Sequence, residues 1–141
     1  MNQPVQLSDF PAQTWDKVRY ADTDRQGHVN NALFSTYVET GRVEFLYGGD
    51  LRPEMFGNSF VIASLQIDFL AEITWPGKVE IGTGVTRLGR SSFNLYQGLF
   101  QEGQLVATAR TVIVQVSNET KKSAALNEEY RQLLEGLTVE G

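Results

Sequence analysis

One stretch of helical period followed by four stretches of strand period constrains how this chain can fold. From Asn31 to Tyr47 the residues Phe34, Tyr37, Val38, Gly41 and Phe45 fall at helical spacing, and Leu33 and Leu46 widen the stripe. Ser35, Thr36, Glu39 and Arg42 take the other faces. The pattern predicts a single amphipathic helix of about four to five turns with a broad buried face. Asn30 is its natural N-cap, because its side-chain oxygen can accept one of the unpaired N–H groups of the first turn. Gly48-Gly49 predicts its end, since glycine reaches the left-handed conformation cheaply.

Beyond a loop or short helical turn at 50–58, the chain reads as strand. The runs are Phe60 to Leu70, Lys78 to Leu88, Ser91 to Gln101 and Gln104 to Val116. Gly89-Arg90 and Glu102-Gly103 supply turns between the last three. Ahead of the helix, Trp15 to Tyr20 predicts a first strand with Val18 and Tyr20 on one face, after a loose leader over 1–12. A short surface helix is expected at Asn127 to Leu137. Successive hairpins make an antiparallel sheet, and one helix with so much apolar surface needs covering. The economical answer is α+β: a curved antiparallel sheet wrapped around a long central helix. The expectation is a single domain over 1–141, with its core at about 15–120 and a C-terminal helix at about 127–137.

Composition narrows the function. A net charge of −5 opposes general nucleic-acid binding, which depends on neutralising phosphates with Lys and Arg. With no cysteine and one histidine, the chain lacks a disulfide framework, a thiolate nucleophile and a ligand cluster at metal-binding spacing. No cofactor, no metal and no membrane partner are expected. The N-terminus lacks the basic start and apolar run of a signal peptide, and no segment approaches the roughly 20 apolar residues of a membrane span, so the expected location is cytoplasmic.

Chemistry concentrates between the first strand and the helix. Asp22 and Asp24 are followed by His28, Asn30 and Asn31 at the predicted helix start. A helix start presents free N–H groups and the positive end of the helix dipole, which can polarise a carbonyl and stabilise the oxyanion formed when it is attacked. A nearby carboxylate can attack directly or act as a base on water. Spacing alone favours capping and turn chemistry for the carboxylates, and a hydrogen-bonding or packing role for the histidine.

The run Tyr20-Ala-Asp-Thr-Asp-Arg-Gln-Gly-His-Val-Asn-Asn31, with Tyr37-Val-Glu-Thr-Gly-Arg-Val-Glu-Phe-Leu46 after it, resembles the signature of the 4-hydroxybenzoyl-CoA thioesterase family of hot-dog proteins. It is also similar to the repeated unit of plant acyl-carrier-protein thioesterases. The resemblance extends more weakly through Ile67-Asp68-Phe69 and Gly89-Arg90-Ser91-Ser92, covering most of 15–120. It implies hydrolysis of an acyl-CoA to a carboxylic acid and CoA, on a hot-dog fold that pairs as a homodimer or homotetramer. It implies that Asp24 is the catalytic carboxylate, that the backbone N–H near Asn31 polarises the thioester carbonyl, and that His28 assists. Gln26 stands where the carrier-protein branch has asparagine, which tilts the reading toward CoA.

Gly27, Arg90, Ser91 and Ser92 are the candidates for holding substrate, the last three for the phosphates or pantetheine of CoA; a plain polar turn is the other reading of Gly89 to Ser92. Phe34, Phe60, Ile62 and Leu65 are acyl-pocket candidates, though each reads first as plain core. Lys121-Lys122 reads as a solvated pair after the last strand, and the Glu39–Arg42 pair as structural. The competing functions are a carrier-protein thioesterase, a hydratase or dehydratase on the same fold, and a non-catalytic acyl-binding protein.

Overall fold

The computed structural model describes residues 3–141. Its elements are β1 (Ala12–Lys17), α1 (Asn31–Tyr47), β2 (Asn58–Phe69), β3 (Lys78–Leu88), β4 (Ser92–Gln101), β5 (Gln104–Ser117) and α2 (Glu128–Glu135). The strands form one sheet in the order β1-β3-β4-β5-β2, and every neighbouring pair is antiparallel. Register shifts at Ile62/Ser64, Val85/Arg87 and Leu99/Phe100 mark bulges, which bend strands and raise their twist. The α+β arrangement expected from the sequence, a long helix wrapped by a curved antiparallel sheet, is the one observed.

α1 buries Phe34, Tyr37, Val38, Gly41 and Leu46 against the sheet. Ile81, Leu99 and Ala109 lie in the cluster around its first half. Phe93 and Ile113 join Leu46 near its end, where α2 adds Tyr130 and Leu134. The helix crosses the sheet closely at Gly41, where a Cβ would come within 2.4 Å of Ile81 Cγ2 and 2.8 Å of Gln97 Nε2. The buried Gln97 amide donates to the Val38 carbonyl and to Thr83 Oγ1, both at 3.1 Å, and so pins helix to sheet.

The opposite sheet face has a different covering. Phe10, 3% exposed, stacks on Tyr96 with centroids 6.0 Å apart and meets Phe100 edge-on at 6.1 Å. It fits because Gly82 and Gly98 lie beneath it; a Cβ on Gly82 would come within 2.4 Å of the ring. Val139 occupies the corresponding space over Gly84.

Several local expectations change. β1 runs Ala12–Lys17 rather than Trp15 to Tyr20, because Tyr20–Asp22 turns as a short 3-10 helix. Val18 is fully buried but Tyr20 is 73% exposed, so the two do not share a face. The leader is not loose throughout: Leu7–Asp9 forms a turn and Phe10 is core, while residues 1 and 2 lie outside the described residues. α1 ends at Gly48 in right-handed geometry (φ −76°) rather than left-handed, its N–H donating to Glu44 O. The helical turn in 50–58 is Pro53–Phe56, closed by a left-handed Gly57. The Glu102-Gly103 hairpin is as expected, both residues having positive φ.

Candidate active site

The segment between β1 and α1 folds back on itself as a small hairpin. Thr23 bridges Val29, the Asp24 N–H donates to His28 O (2.8 Å), and the Asn30 N–H donates to Asp22 O (2.9 Å). Gly27 closes the tip by donating to Asp24 O at 3.2 Å; its φ of 84° is one that side chains rarely adopt. The chain after β2 flanks the hairpin: the Val29 N–H donates to Ile73 O at 2.8 Å and His28 bridges Thr74.

This hairpin holds Asp24 by one oxygen. Oδ1 accepts from the Gln26 N–H (2.8 Å) and the His28 N–H (3.3 Å). Oδ2 has no hydrogen-bond partner among the described residues. Asp24 lines an open cleft of about 400 Å³ together with His28, Asn31, Phe34, Phe69 and Leu70. Glu72 also borders it, and its Oε2 lies 3.0 Å from His28 Nε2, an ion pair whenever the imidazole is protonated.

Asn30 caps α1 as expected, its side chain accepting from the Ala32 N–H at 2.9 Å while its carbonyl accepts from the Leu33 N–H at 2.9 Å. Asn31, the first helical residue, follows a cap in extended conformation. Its N–H has no acceptor among the described residues. The cleft thus combines a carboxylate with a free oxygen, a free helix N-terminal N–H, an imidazole and an apolar wall, which together suit attack on a carbonyl attached to an apolar group.

Behind the hairpin lies a buried polar network. Asp22 Oδ2 accepts from the Tyr37 hydroxyl (2.7 Å) and the Arg19 N–H (2.9 Å), with Arg19 Nη1 at 3.4 Å. Burial pushes the Asp22 carboxyl upward, but the Arg19 N–H, the Tyr37 hydroxyl and the Arg19 charge outweigh it and leave the group below its ordinary value.

Asp24, His28, Asn31 and, from the acyl-pocket candidates, Phe34 come together in the cleft. Gly27 sits at the exposed hairpin tip. Arg90, Ser91 and Ser92 do not join them within one chain. Their turn follows the far end of β3, whereas the hairpin neighbours the segment before Lys78; at ~3.3 Å per residue, β3 separates the two by roughly 35 Å along the strand. That turn is anchored by Arg131 of α2, which donates to Gly89 O at 2.6 Å and Arg90 O at 3.1 Å. Phe60 packs in the cluster around Leu46, and Ile62 and Leu65 are exposed on β2. Sequence reasoning missed Phe69, Leu70 and Glu72. The apolar end of the run through Leu70 was a visible signal for the first two, but Glu72 meets His28 only through the fold.

A long helix wrapped by an antiparallel sheet, with an acidic hairpin leading into the helix start, defines the hot-dog class. Within it, the chain belongs to the thioesterase-like superfamily, whose sequence pattern matches residues 18–134. The reading of the sequence as a thioester hydrolase agrees with that membership. Among relatives, an uncharacterized Bacillus subtilis protein, YsmA, is 30% identical over 89% of this chain and 92% of its own length. The long-chain acyl-CoA thioesterase FadM of Escherichia coli is 32% identical over 87% of this chain and 96% of its own. A thioesterase from Thermus thermophilus, solved with coenzyme A and zinc, superposes with a TM-score of 0.77 at 31% identity, covering 91% of this chain and 95% of that one.

Proposed function

We propose that the chain hydrolyses an acyl-CoA thioester to a free carboxylic acid and CoA. The observation that carries this reading is the convergence of Asp24, His28 and Asn31, whose N–H is free among the described residues, on one cleft that Phe34, Phe69 and Leu70 also line. In the proposed step, the thioester oxygen lies against the Asn31 N–H, and negative charge grows there as the carbonyl carbon is attacked. Asp24 Oδ2 takes a proton from water as the water oxygen bonds to that carbon; the C–S bond then breaks and the proton passes to the departing thiolate. The covalent variant has Asp24 Oδ2 bond to the carbon itself as the C–S bond breaks and the CoA thiolate leaves. Water then opens the resulting mixed anhydride, freeing the carboxylic acid and the Asp24 carboxylate and supplying the thiolate's proton. His28, held by Glu72, assists from the side of the cleft. The acyl group lies along Phe34, Phe69 and Leu70.

The reading includes a second copy of the chain. Among the described residues β2 is an edge strand, hydrogen-bonded only to β5, and it exposes Val61, Ile62, Leu65 and Phe69. A long apolar edge of this kind invites pairing. Pairing would cover the apolar groups beside the cleft and bring in residues from a second chain. The exposed Arg90 with Ser91 and Ser92 fits that role, holding the phosphates or pantetheine of a CoA bound to the other copy's cleft.

The test is release of free thiol from a panel of acyl-CoAs by wild type and by Asp24→Asn. The expected result is turnover by the wild type and a loss of about 10²–10⁴-fold in the variant, the usual contribution of a positioned acid–base group. Near-normal turnover by Asp24→Asn on the best substrate removes Asp24 from its role. Loss or gain of enoyl absorbance without thiol release would mark a hydratase instead.

A further inference from the structure

We propose that Asp22 is a positioning residue: through Tyr37 and Arg19 it clamps the Asp24 hairpin to α1 and so fixes Asp24 relative to the Asn31 N–H. The inference rests on the reading of Asp24 and Asn31 given above.

Asp22 ties the hairpin down at both levels of its structure. Its main-chain carbonyl accepts from the Asn30 N–H at 2.9 Å, one residue ahead of the candidate oxyanion donor. Its carboxylate accepts from the Tyr37 hydroxyl at 2.7 Å, and Tyr37 projects from α1 with no solvent exposure. Arg19 extends the connection. It reaches Asp16 Oδ1 at 3.0 Å, and Asp16 Oδ2 accepts from Thr40 Oγ1 at 3.1 Å. Two residues of α1, Tyr37 and Thr40, therefore hold the two carboxylates that flank Arg19, and the hairpin is suspended between them and the helix start.

The chemistry of the clamp favours placement over mere cohesion. An apolar pair of similar size would fill the space under the hairpin without the cost of burying a carboxylate, and such replacements are often neutral or stabilising. A hydrogen-bonded carboxylate instead fixes distance and direction. Burial, then the hydrogen bond from Tyr37 to Asp22 and the Asp22 charge, push the Tyr37 hydroxyl well above its ordinary value, so it remains a donor to Asp22 through the working pH range. The groups facing the clamp are Arg19 and Asp16 from the β1 side and Tyr37 from α1.

The variant that reads this out is Tyr37→Phe, which removes one hydroxyl and keeps the ring. With the best acyl-CoA, kcat should fall by about tenfold or more, the scale of one hydrogen bond to a charged group, while KM stays within about twofold. Asp22→Asn, nearly isosteric, should lower kcat in the same direction. In an Asp24→Asn background, Tyr37→Phe should have little further effect, because a residue that acts through Asp24 has nothing left to position. A kcat unchanged by Tyr37→Phe overturns the proposal, and so does a loss that persists undiminished in the Asp24→Asn background. Amide hydrogen exchange decides the matter independently of any substrate. Tyr37→Phe should speed exchange at Gln26, His28 and Asn30 while leaving β3 and β4 amides unchanged; unchanged exchange in the hairpin overturns the clamp. Should the wild type hydrolyse no thioester, the proposed function falls, and exchange still accepts or rejects the clamp.

Discussion

Asn31 is the one candidate catalytic residue whose side chain is not needed, and this allows an unusually clean test. Proline at the first position of a helix costs little, since the N–H it lacks is unpaired there in any case. The residue before a proline is pushed toward extended conformation, and Asn30 already has φ −60° and ψ 136°. Asn31→Pro should therefore fold with a melting temperature close to wild type and lose about 10²–10³ in kcat, the scale of one oxyanion donor. Thiol release combined with thermal melting checks both halves. Retained turnover would place the oxyanion donor elsewhere. At this scale the sequence was informative where the groups are close in the chain: Asp24, His28 and Asn31 come from one short segment. Asp22 was visible only as half of an Asp-x-Asp pair. Its partner Tyr37 read as one more apolar residue of the helical stripe, because a phenol's polar tip is invisible to periodicity. Glu72 gave no signal, since only the strand return after β2 brings it to His28.

Between elements, a tight constraint is the crossing of α1 over β3 and β4 at Gly41. A methyl group there meets both the Ile81 side chain and the Gln97 amide. Gly41→Ala should destabilise the fold by about 1–3 kcal/mol despite the better helix propensity of alanine, as overpacking of a filled core does. Chemical denaturation would show it as a lower midpoint with an unchanged slope. The helix itself was legible from spacing, including Gly41 as a member of the buried face. The glycines that take left-handed geometry were legible only in part. Gly103 was expected in a tight hairpin and has positive φ, whereas Gly48 looked like the residue for a left-handed stop but stays right-handed, and Gly27 and Gly57 also take positive φ. A glycine's identity shows that the conformation is allowed, and only the surrounding hydrogen bonds decide where it is used. β1 slipped for a related reason: Asp22 draws the Arg19 N–H into a turn, which ends the ladder earlier than the alternation of side chains suggests.

For the molecule as a whole, the exposed side chains of β2 set the expectation. Leu65 is 41% exposed on the edge strand β2, four residues before the cleft-lining Phe69. If β2 pairs two copies as proposed, Leu65→Lys should shift the protein toward monomer in sedimentation and lower thioester turnover in parallel. A wild type that sediments as a clean monomer would remove the second copy from the site. The strand order itself was not legible in the sequence. Three strands follow one another as hairpins, but nothing local says that β2 pairs with the last strand or that β1 pairs with β3. Such pairings depend on contacts between distant segments, and these form for the sake of the whole core.

The seats that Gly82 and Gly84 leave for Phe10 and Val139 also bear on how the chain is threaded. The two glycines are two residues apart on the same face of β3, so the segments they receive lie within about 7 Å of each other. The path from Phe10 to Val139 is thus nearly a closed loop. A short linker across that gap, with a new opening at the exposed Glu102-Gly103 turn, would reorder the sequence while leaving every strand pair, the hairpin and the cleft in place.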